Sequence, residues 1–179
     1  SGFSTGTTFA VAKDKKNKTL FLTNYHVCGE GLDSSIIIVE GMGEESVPFE
    51  AKIVKTDASK DLCLLESELE APKMTIKNFC QSGEKVTVIG NPNGVFPIVL
   101  DMYVSLRKID RSMIPFAEID PDSHITMLSG KLVSGHSGSP VISKDGRVCA
   151  IVFAASSEYG GFAISGKETI RFISSYSEL

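Results

Sequence analysis

The sequence predicts an all-β fold of two strand-rich halves that pack together, with one helix closing the C-terminal end. Short runs rich in Val, Ile, Thr and Phe recur along most of the 179 residues, and clusters of turn-forming residues separate them. Many short strands at intervals of about 8–15 residues are typical of a sandwich or a barrel rather than of alternating βαβ units.

The first half of the sequence contains five predicted strands, separated by turn-forming segments such as KDKKNK and GMGEES. Its predicted strands span residues 6–12, 19–24, 35–40, 50–56 and 61–66. The lysines of KDKKNK are expected to form a solvated hairpin tip.

Residues 67–84 divide the two halves, because they are polar and contain Pro72. The predicted strands of the second half span residues 85–90, 98–109, 124–128, 140–143, 147–155 and 160–165. Each half has enough strands for a small six-stranded barrel. Two packed barrels form a cleft at their junction, which is a common place for an active site.

The last stretch, GKETIRFISSYSEL, is the only one with helical spacing. This spacing places Ile170, Ile173, Ser174 and Ser177 on one face. The sequence therefore predicts a weakly amphipathic closing helix.

Charge and hydropathy exclude several classes of protein. With 18 Lys and Arg against 22 Asp and Glu, and 42% hydrophobic residues, the chain is expected to fold as one domain rather than remain disordered. The net charge of −4 argues against a broad nucleic-acid-binding surface. No apolar run approaches the roughly 18 residues of a membrane-spanning helix, so a soluble protein is expected. The first residues, SGFSTGTTFAVA, show no secretory signal.

The four cysteines, Cys28, Cys63, Cys80 and Cys149, allow three pairings, and the sequence alone selects none of them. They form no CxxC or Cys/His cluster of the kind that marks zinc or redox sites. Cys63 and Cys149 lie inside apolar runs, where a reduced cysteine behaves as a small hydrophobe. We therefore expect free thiols rather than disulfides.

Three short motifs carry candidate chemistry: FLTNYHVC with His26, KTDASKDLCLLE with Asp61, and SGHSGSPV with Ser137. A serine hydroxyl becomes a good nucleophile only when a base removes its proton, and imidazole titrates near neutral pH. A carboxylate that binds the other ring nitrogen fixes the tautomer of such a base. The motifs therefore predict Ser137 as nucleophile, His26 as general base and Asp61 as orienting acid, brought together across the cleft.

Glycines surround the candidate nucleophile at Gly135 and Gly138. Glycine accepts backbone angles closed to other residues, so consecutive N–H groups can turn toward one point. Attack on an acyl carbon creates an oxyanion that needs such donors in place. We expect the N–H groups of Gly135 and Ser137 to form this oxyanion hole.

Other residues compete for each role. Asp57 and Asp33 are alternatives to Asp61, which is favoured because it opens a strand of alternating apolar residues. His124 is expected to be structural or solvated, and His136 to be exposed, because neighbouring residues in an extended turn point apart. The scattered histidines lack HExxH or HxH spacing, so no metal site is predicted. The order His, Asp, Ser also excludes an α/β-hydrolase, in which the serine comes first.

Taken together, these motifs resemble those of the chymotrypsin-like serine proteases, most closely the protease domain of the HtrA family, from about Gly6 to the closing helix. The matching segments are LTNYHV, AKIVKTDASKDLCLLE, VIGNPNG, GHSGSP and GFAI. The resemblance implies one peptidase domain with a chymotrypsin-like double β-barrel of two six-stranded Greek-key barrels. Residues 1–72 would form the barrel with His26 and Asp61, residues 73–165 the barrel with Ser137, and residues 166–179 the helix.

The resemblance also implies a function, that of a serine endopeptidase acting on proteins or peptides. Such an enzyme needs no cofactor, no nucleic acid and no membrane insertion. HtrA relatives often form trimers, but nothing in this sequence indicates an oligomer, and family likeness points only weakly to an extracytoplasmic or organellar location. The sequence departs from the family by reading GSP after the nucleophile, by showing no PDZ domain within these residues, and by placing His136 where digestive relatives carry an aspartate.

Alignment with the family implies a substrate pocket on both sides of the nucleophile. Its predicted lining residues are Lys131, Leu132, Val133, Val152, Phe153, Ala154 and Ala155. These residues favour small or medium apolar side chains before the scissile bond. Lys131 either stays exposed or reaches in toward an acidic group. Two alternatives stay open for the whole protein, namely a protease-like module that binds peptides without cutting and a processing protease that cuts one site in its own precursor.

Overall fold

The computed structural model describes residues 5–29, 31–40, 43–91, 97–113, 116–133 and 135–179. Within these ranges it contains eleven β-strands and two α-helices, which confirms the predicted all-β class with a C-terminal helix. Part of the predicted turn GNPNG, and of the matching segment VIGNPNG, lies outside the described residues. No helix in the described ranges is long and apolar enough to cross a membrane.

The first half forms an antiparallel sheet. Its strands are β1 (Phe9–Lys13), β2 (Thr19–Thr23), β3 (Ser35–Glu40), β4 (Val47–Asp57) and β5 (Leu62–Ser67). Their spatial order is β1-β2-β5-β4-β3. This half was expected to be a six-stranded barrel; over the described residues it is a five-stranded sheet, in which β1 and β3 are the two ends of the strand order.

The second half forms a closed barrel. Its strands are β6 (Lys85–Gly90), β7 (Ile98–Leu106), β8 (Ile125–Ser129), β9 (Pro140–Ile142), β10 (Val148–Ser156) and β11 (Gly160–Ser165). They close in the order β10-β11-β8-β7-β6-β9, which confirms the six strands predicted here. Because successive strand residues point to opposite faces, Val86 and Val88 lie inside the barrel while Lys85 and Ile89 face outward.

One hydrophobic cluster joins the two halves. It contains Leu20, Leu22, Leu62 and Leu64 from the first sheet, Ile125, Ile151 and Ile164 from the barrel, and Phe172 and Ile173 from the helix. Burying each such side chain contributes about 1.5–3 kcal/mol. The halves are therefore held in a fixed relative position, although no strand pairing connects their sheets in the described residues.

The closing helix, α2 (Gly166–Ser174), buries the predicted face only in part, at Ile173 and partly at Ile170. Thr169, Phe172 and Ile173 are buried, whereas Ser174 and Ser177 are exposed. The helix ends at Ser174, so Ser177 lies beyond it, and Phe172 packs in the hydrophobic cluster shared by the two halves. At its first residue the helix approaches the main chain closely, since a Cβ on Gly166 would lie 1.8 Å from the carbonyl oxygen of Lys77.

The cysteines form two disulfides, so the expectation of free thiols was wrong. Cys28 pairs with Cys63, and Cys80 pairs with Cys149. All four are buried, as their apolar surroundings predict, but burial alone does not distinguish a thiol from a disulfide. The paired residues lie 35 and 69 positions apart, so only the tertiary fold brings them together.

Candidate active site

His26 lies on a short helix that directly follows β2. This helix, α1 (Tyr25–Cys28), is a single turn, too short to show helical periodicity in the sequence. Its last residue, Cys28, is bonded to Cys63 on β5. The disulfide therefore holds the turn that carries His26 against the strand that begins beside Asp61.

Asp61 binds His26 through both of its carboxylate oxygens. Oδ1 accepts the main-chain N–H of His26 at 2.9 Å, and Oδ2 lies 2.6 Å from the ring Nδ1. Asp61 is buried and has a left-handed φ of 52°. The side-chain amide of Asn24 donates to its main-chain oxygen at 3.0 Å and supports this conformation.

The competing acidic residues are engaged elsewhere. Asp57 accepts hydrogen bonds from the main-chain N–H groups of Ser59 and Lys60, where it begins a short 3-10 turn. The carboxylate of Asp33 is largely exposed and lies 3.3 Å from the ammonium of Lys52. Neither one approaches His26 as Asp61 does.

Ser137 lies in the turn before β9, and its Oγ is 3.0 Å from the Nε2 of His26. The next residue, Gly138, has φ of 88°, and a Cβ there would lie 2.1 Å from the main-chain oxygen of Thr7. The N–H of Thr7 also donates to the main-chain oxygen of Ser137 at 2.8 Å. The nucleophile turn is thus pressed against the first sheet at a position that only glycine fits.

The geometry fixes which nitrogen of His26 can act as a base. A carboxylate only accepts hydrogen bonds, so Nδ1 carries the proton that faces Asp61. In the neutral ring Nε2 then presents its lone pair to the hydroxyl of Ser137. The His26 side chain is 46% exposed, so a substrate can reach this pair of atoms.

Gly135 lies in a tight turn next to Ser137. The main-chain N–H of His136 donates to the carbonyl of Val133 at 3.3 Å, and Gly135 within this turn has φ of 95°. The Gly135 carbonyl accepts the hydroxyl of Thr7 at 3.1 Å. Among hydrogen bonds between described residues, none uses the main-chain N–H of Gly135 or Ser137.

A cavity of about 280 Å³ lies beside Ser137. Its lining residues are Thr5, His26, Leu132, Val133, Gly135, His136, Ser137, Val152, Ala154 and Ala155. Five of the seven residues predicted to form the substrate pocket line this cavity. The other two are not part of the lining: Lys131 is exposed, and Phe153 points into the core, where its ring centroid is 5.1 Å from that of Phe116. Phe153 lies between Val152 and Ala154, where the pairing of β10 with β11 shifts register, and its side chain packs in the core cluster instead of the cavity.

The two remaining histidines are both buried. His124 lies 4.6 Å from the ring of Phe79, and burial, reinforced by the nearby Lys108 and Arg107, lowers its pKa to about 4. His136 was expected to be exposed, and this was wrong, because its side chain is turned inward against Gly90. A Cβ on Gly90 would lie 2.5 Å from the His136 ring.

Thr7 was not predicted to contact the nucleophile turn, yet it binds the main-chain oxygens of Gly135 and Ser137. No motif signals this role, since Thr7 reads only as part of a strand-like run. The one group of metal-ligand residues that comes together within the described ranges is Cys80, Glu84 and Cys149. Both of these thiols are consumed in a disulfide, so the group lacks two of its ligands.

Comparisons with known proteins show which family the chain resembles. The family model of the trypsin-like peptidase domain matches residues 6–151. A protein of Pseudomonas fulva named probable periplasmic serine endoprotease DegP-like is 30% identical over 165 residues, which are 89% of this chain and 31% of that protein. The magnetosome formation protease MamE of Paramagnetospirillum magneticum is 27% identical over 152 residues, 83% of this chain and 20% of that protein.

A solved structure shares the fold. The HtrA-type protease AlgW with a decapeptide has a TM-score of 0.75 at 23% identity, covering 96% of this chain and 51% of the other. The chain spans less than a third of the length of these two curated relatives.

Proposed function

Since this chain belongs to the family of trypsin-like peptidase domains, with HtrA-type relatives, we propose that it hydrolyses peptide bonds as a serine endopeptidase. The observation that carries the proposal is the position of the His26 ring. It lies 2.6 Å from the carboxylate of Asp61 and 3.0 Å from the hydroxyl of Ser137. Serine, histidine and aspartate in this arrangement activate the serine for acyl transfer.

In the proposed acylation step, Ser137 Oγ bonds to the carbonyl carbon of the substrate while its proton passes to His26 Nε2. Asp61 stabilises the resulting imidazolium through Nδ1–H. His26 then gives the proton to the leaving amine as the C–N bond breaks, and an ester on Ser137 remains. In the second half-reaction, His26 takes a proton from water, the hydroxide attacks the ester, and Ser137 recovers its proton from His26.

The oxyanion formed in each half-reaction would be bound by the N–H groups of Gly135 and Ser137. Two findings support this assignment. Both donors lack a partner among the described residues, and Gly135 lines the cavity next to the nucleophile. Such donors stabilise the transition state more than the substrate, because the charge develops only as the carbonyl carbon becomes tetrahedral.

The cavity supports a preference for small or medium apolar side chains before the scissile bond. Leu132 and Val152 supply apolar walls. Leu132 packs directly against Gly161, where a Cβ would lie 2.5 Å from a methyl group of the leucine. Ala154 supplies a methyl group where glycine would leave more depth. Since Lys131 is exposed and does not line the cavity, an acidic side chain has no lysine to bind there.

We also propose that the substrate is an extended peptide and that the protein works outside the cytoplasm. AlgW, which shares the fold, has been solved with a decapeptide, and proteins often bind extended peptides by strand addition. Two disulfides are typical of oxidising compartments, and one relative is named periplasmic.

The test combines a fluorophosphonate probe with mass-spectrometric mapping of cleavage sites, using wild type and Ser137→Ala in parallel. We expect the probe to label wild type only, and cleavage to disappear in Ser137→Ala while the melting temperature hardly changes. Equal labelling or cleavage by the variant would refute the assignment of Ser137. Peptide binding without labelling would indicate a binding module, and labelling without library cleavage a single-site processing protease.

A further inference from the structure

The residue before the nucleophile is held by an unusual pair of contacts. His136 is only 1% exposed. Its main-chain N–H donates to the carbonyl of Val133 at 3.3 Å, and its ring Nδ1 lies 3.1 Å from the same oxygen. One carbonyl therefore accepts both the main chain and the side chain of this histidine.

These contacts define the tautomer of the ring. A carbonyl oxygen only accepts, so Nδ1 must carry a proton, and in the neutral ring Nε2 is bare. Nε2 has no partner among the described residues, and neither does the hydroxyl of Ser139. Both face Gly90, where a Cβ would lie 3.1 Å from Nε2 and 2.5 Å from the Ser139 oxygen. The two nitrogens of His136 thus have different surroundings, and only Nδ1 binds the loop.

The bond from Nδ1 closes the turn that contains Gly135. Val133 and His136 are the two ends of this turn, and Gly135, with φ of 95°, lies inside it. The far side of the loop has its own support, because Thr7 binds the carbonyls of Gly135 and Ser137. His136 therefore supports the loop on the Val133 side. The direction of the Gly135 N–H depends on this side of the loop.

We propose that His136 is a positioning residue, which orients the Gly135 N–H by donating from Nδ1 to the carbonyl of Val133. This inference rests on the proposed function, since it concerns the oxyanion hole of the same site. The positioning role belongs to Nδ1 of His136, and Nε2 of the same ring takes no part in it.

Two amide variants separate the nitrogens. The amide nitrogen of asparagine occupies the place of Nδ1, whereas that of glutamine reaches the place of Nε2. We expect His136→Asn to keep kcat within about threefold of wild type, and His136→Gln and His136→Ala to lose about tenfold or more with KM little changed. Ser139→Ala, which removes only a hydroxyl on the Nε2 side, is the matched control and should retain full activity.

The result that would overturn the proposal is clear for each variant. Equal kcat for the asparagine and glutamine variants, or a loss as large in His136→Asn as in His136→Ala, contradicts the role of Nδ1. Melting temperatures distinguish a misplaced loop from an unfolded protein. A misplaced loop lowers kcat and the affinity for a boronic-acid transition-state analogue in parallel, while the melting temperature stays within a few degrees.

A second measurement does not depend on activity. The chain has three histidines, so a long-range ¹⁵N NMR spectrum of histidine-labelled protein contains three ring systems. The signals lost in His136→Asn identify His136, and we expect the Nδ1–H tautomer. An Nε2–H tautomer overturns the inference whether or not the protein hydrolyses peptides, whereas the absence of Ser137-dependent hydrolysis, with the expected tautomer present, overturns the proposed function alone.

Discussion

Replacing Asp61 by asparagine is expected to remove activity by reversing the tautomer of His26. In the wild type, one carboxylate oxygen accepts the main-chain N–H of His26 at 2.9 Å and the other faces Nδ1 at 2.6 Å. An asparagine has one oxygen and one NH₂ group. Its oxygen must stay on the main-chain N–H, because two donors would otherwise face each other, and so the NH₂ group is turned toward Nδ1.

Nδ1 then has to accept, and the proton moves to Nε2, where it faces Ser137 instead of a lone pair. In enzymes of this arrangement, the corresponding change lowers kcat about 10⁴-fold, or roughly 5.5 kcal/mol. The fold should survive, since Asn24 binds the main-chain oxygen of residue 61 rather than its side chain.

The assay is kcat at neutral pH on a peptide identified by cleavage-site mapping, with the melting temperature measured beside it. Asp33→Asn is the matched control, because that carboxylate is exposed and lies beside Lys52 instead of His26, and its kcat should equal that of wild type. A folded Asp61→Asn variant with kcat within tenfold of wild type would refute the reasoning.

Three further predictions concern stability and the nucleophile turn. Replacing Cys28 and Cys63 together by alanine should lower the free energy of unfolding by about 3–4 kcal/mol, as expected for a cross-link between residues 35 positions apart, and an unchanged urea midpoint would contradict this. Gly138→Ala should abolish probe labelling, because its Cβ would lie 2.1 Å from a main-chain oxygen and φ is 88°; wild-type labelling would show that the turn is not constrained. Because the pKa of His124 is lowered from 6.5 to about 4, the unfolded chain binds a proton there that the folded chain does not. The free energy of unfolding should therefore fall by on the order of 2–3 kcal/mol between pH 6.5 and pH 4. This part of the pH dependence should disappear in His124→Gln, as measured by urea unfolding, and an identical profile would refute the assignment.

The local pattern of strand-forming and turn-forming residues was sufficient to predict the position of most strands. The predicted bounds of β3, β6 and β11 agree with the structure at both ends, because turn-forming residues flank runs of strand-forming ones. β7 ends three residues before its predicted limit, at Leu106, since the apolar character of Ile109 is used in the core after the strand has ended. The helix face was partly misplaced because the predicted face extended to Ser177, whereas the helix ends at Ser174 and buries Phe172 in the core.

In the candidate site, the sequence motifs predicted which three residues lie close together, whereas the other features depend on packing. His26, Asp61 and Ser137 meet at hydrogen-bond distance, as the motifs predicted. The burial of His136 depends on its contact with Gly90, and the pairing of the cysteines depends on the tertiary fold. The sequence around His136 and around the cysteines shows no pattern that would indicate either one. The inward direction of Phe153 coincides with a shift of register between Val152 and Ala154 in the pairing of β10 with β11, which the sequence pattern does not reveal.

The proposed base and nucleophile belong to different halves, and the hydrophobic cluster shared with α2 keeps them 3.0 Å apart. Neither half by itself contains a working set of groups. A hydrogen bond of this length tolerates only a few tenths of an ångström, whereas secondary structure persists through much larger relative shifts. Turnover should therefore vanish at denaturant or pressure levels that leave the circular dichroism spectrum intact, which makes enzymatic rate the most sensitive gauge of how tightly the two lobes adhere.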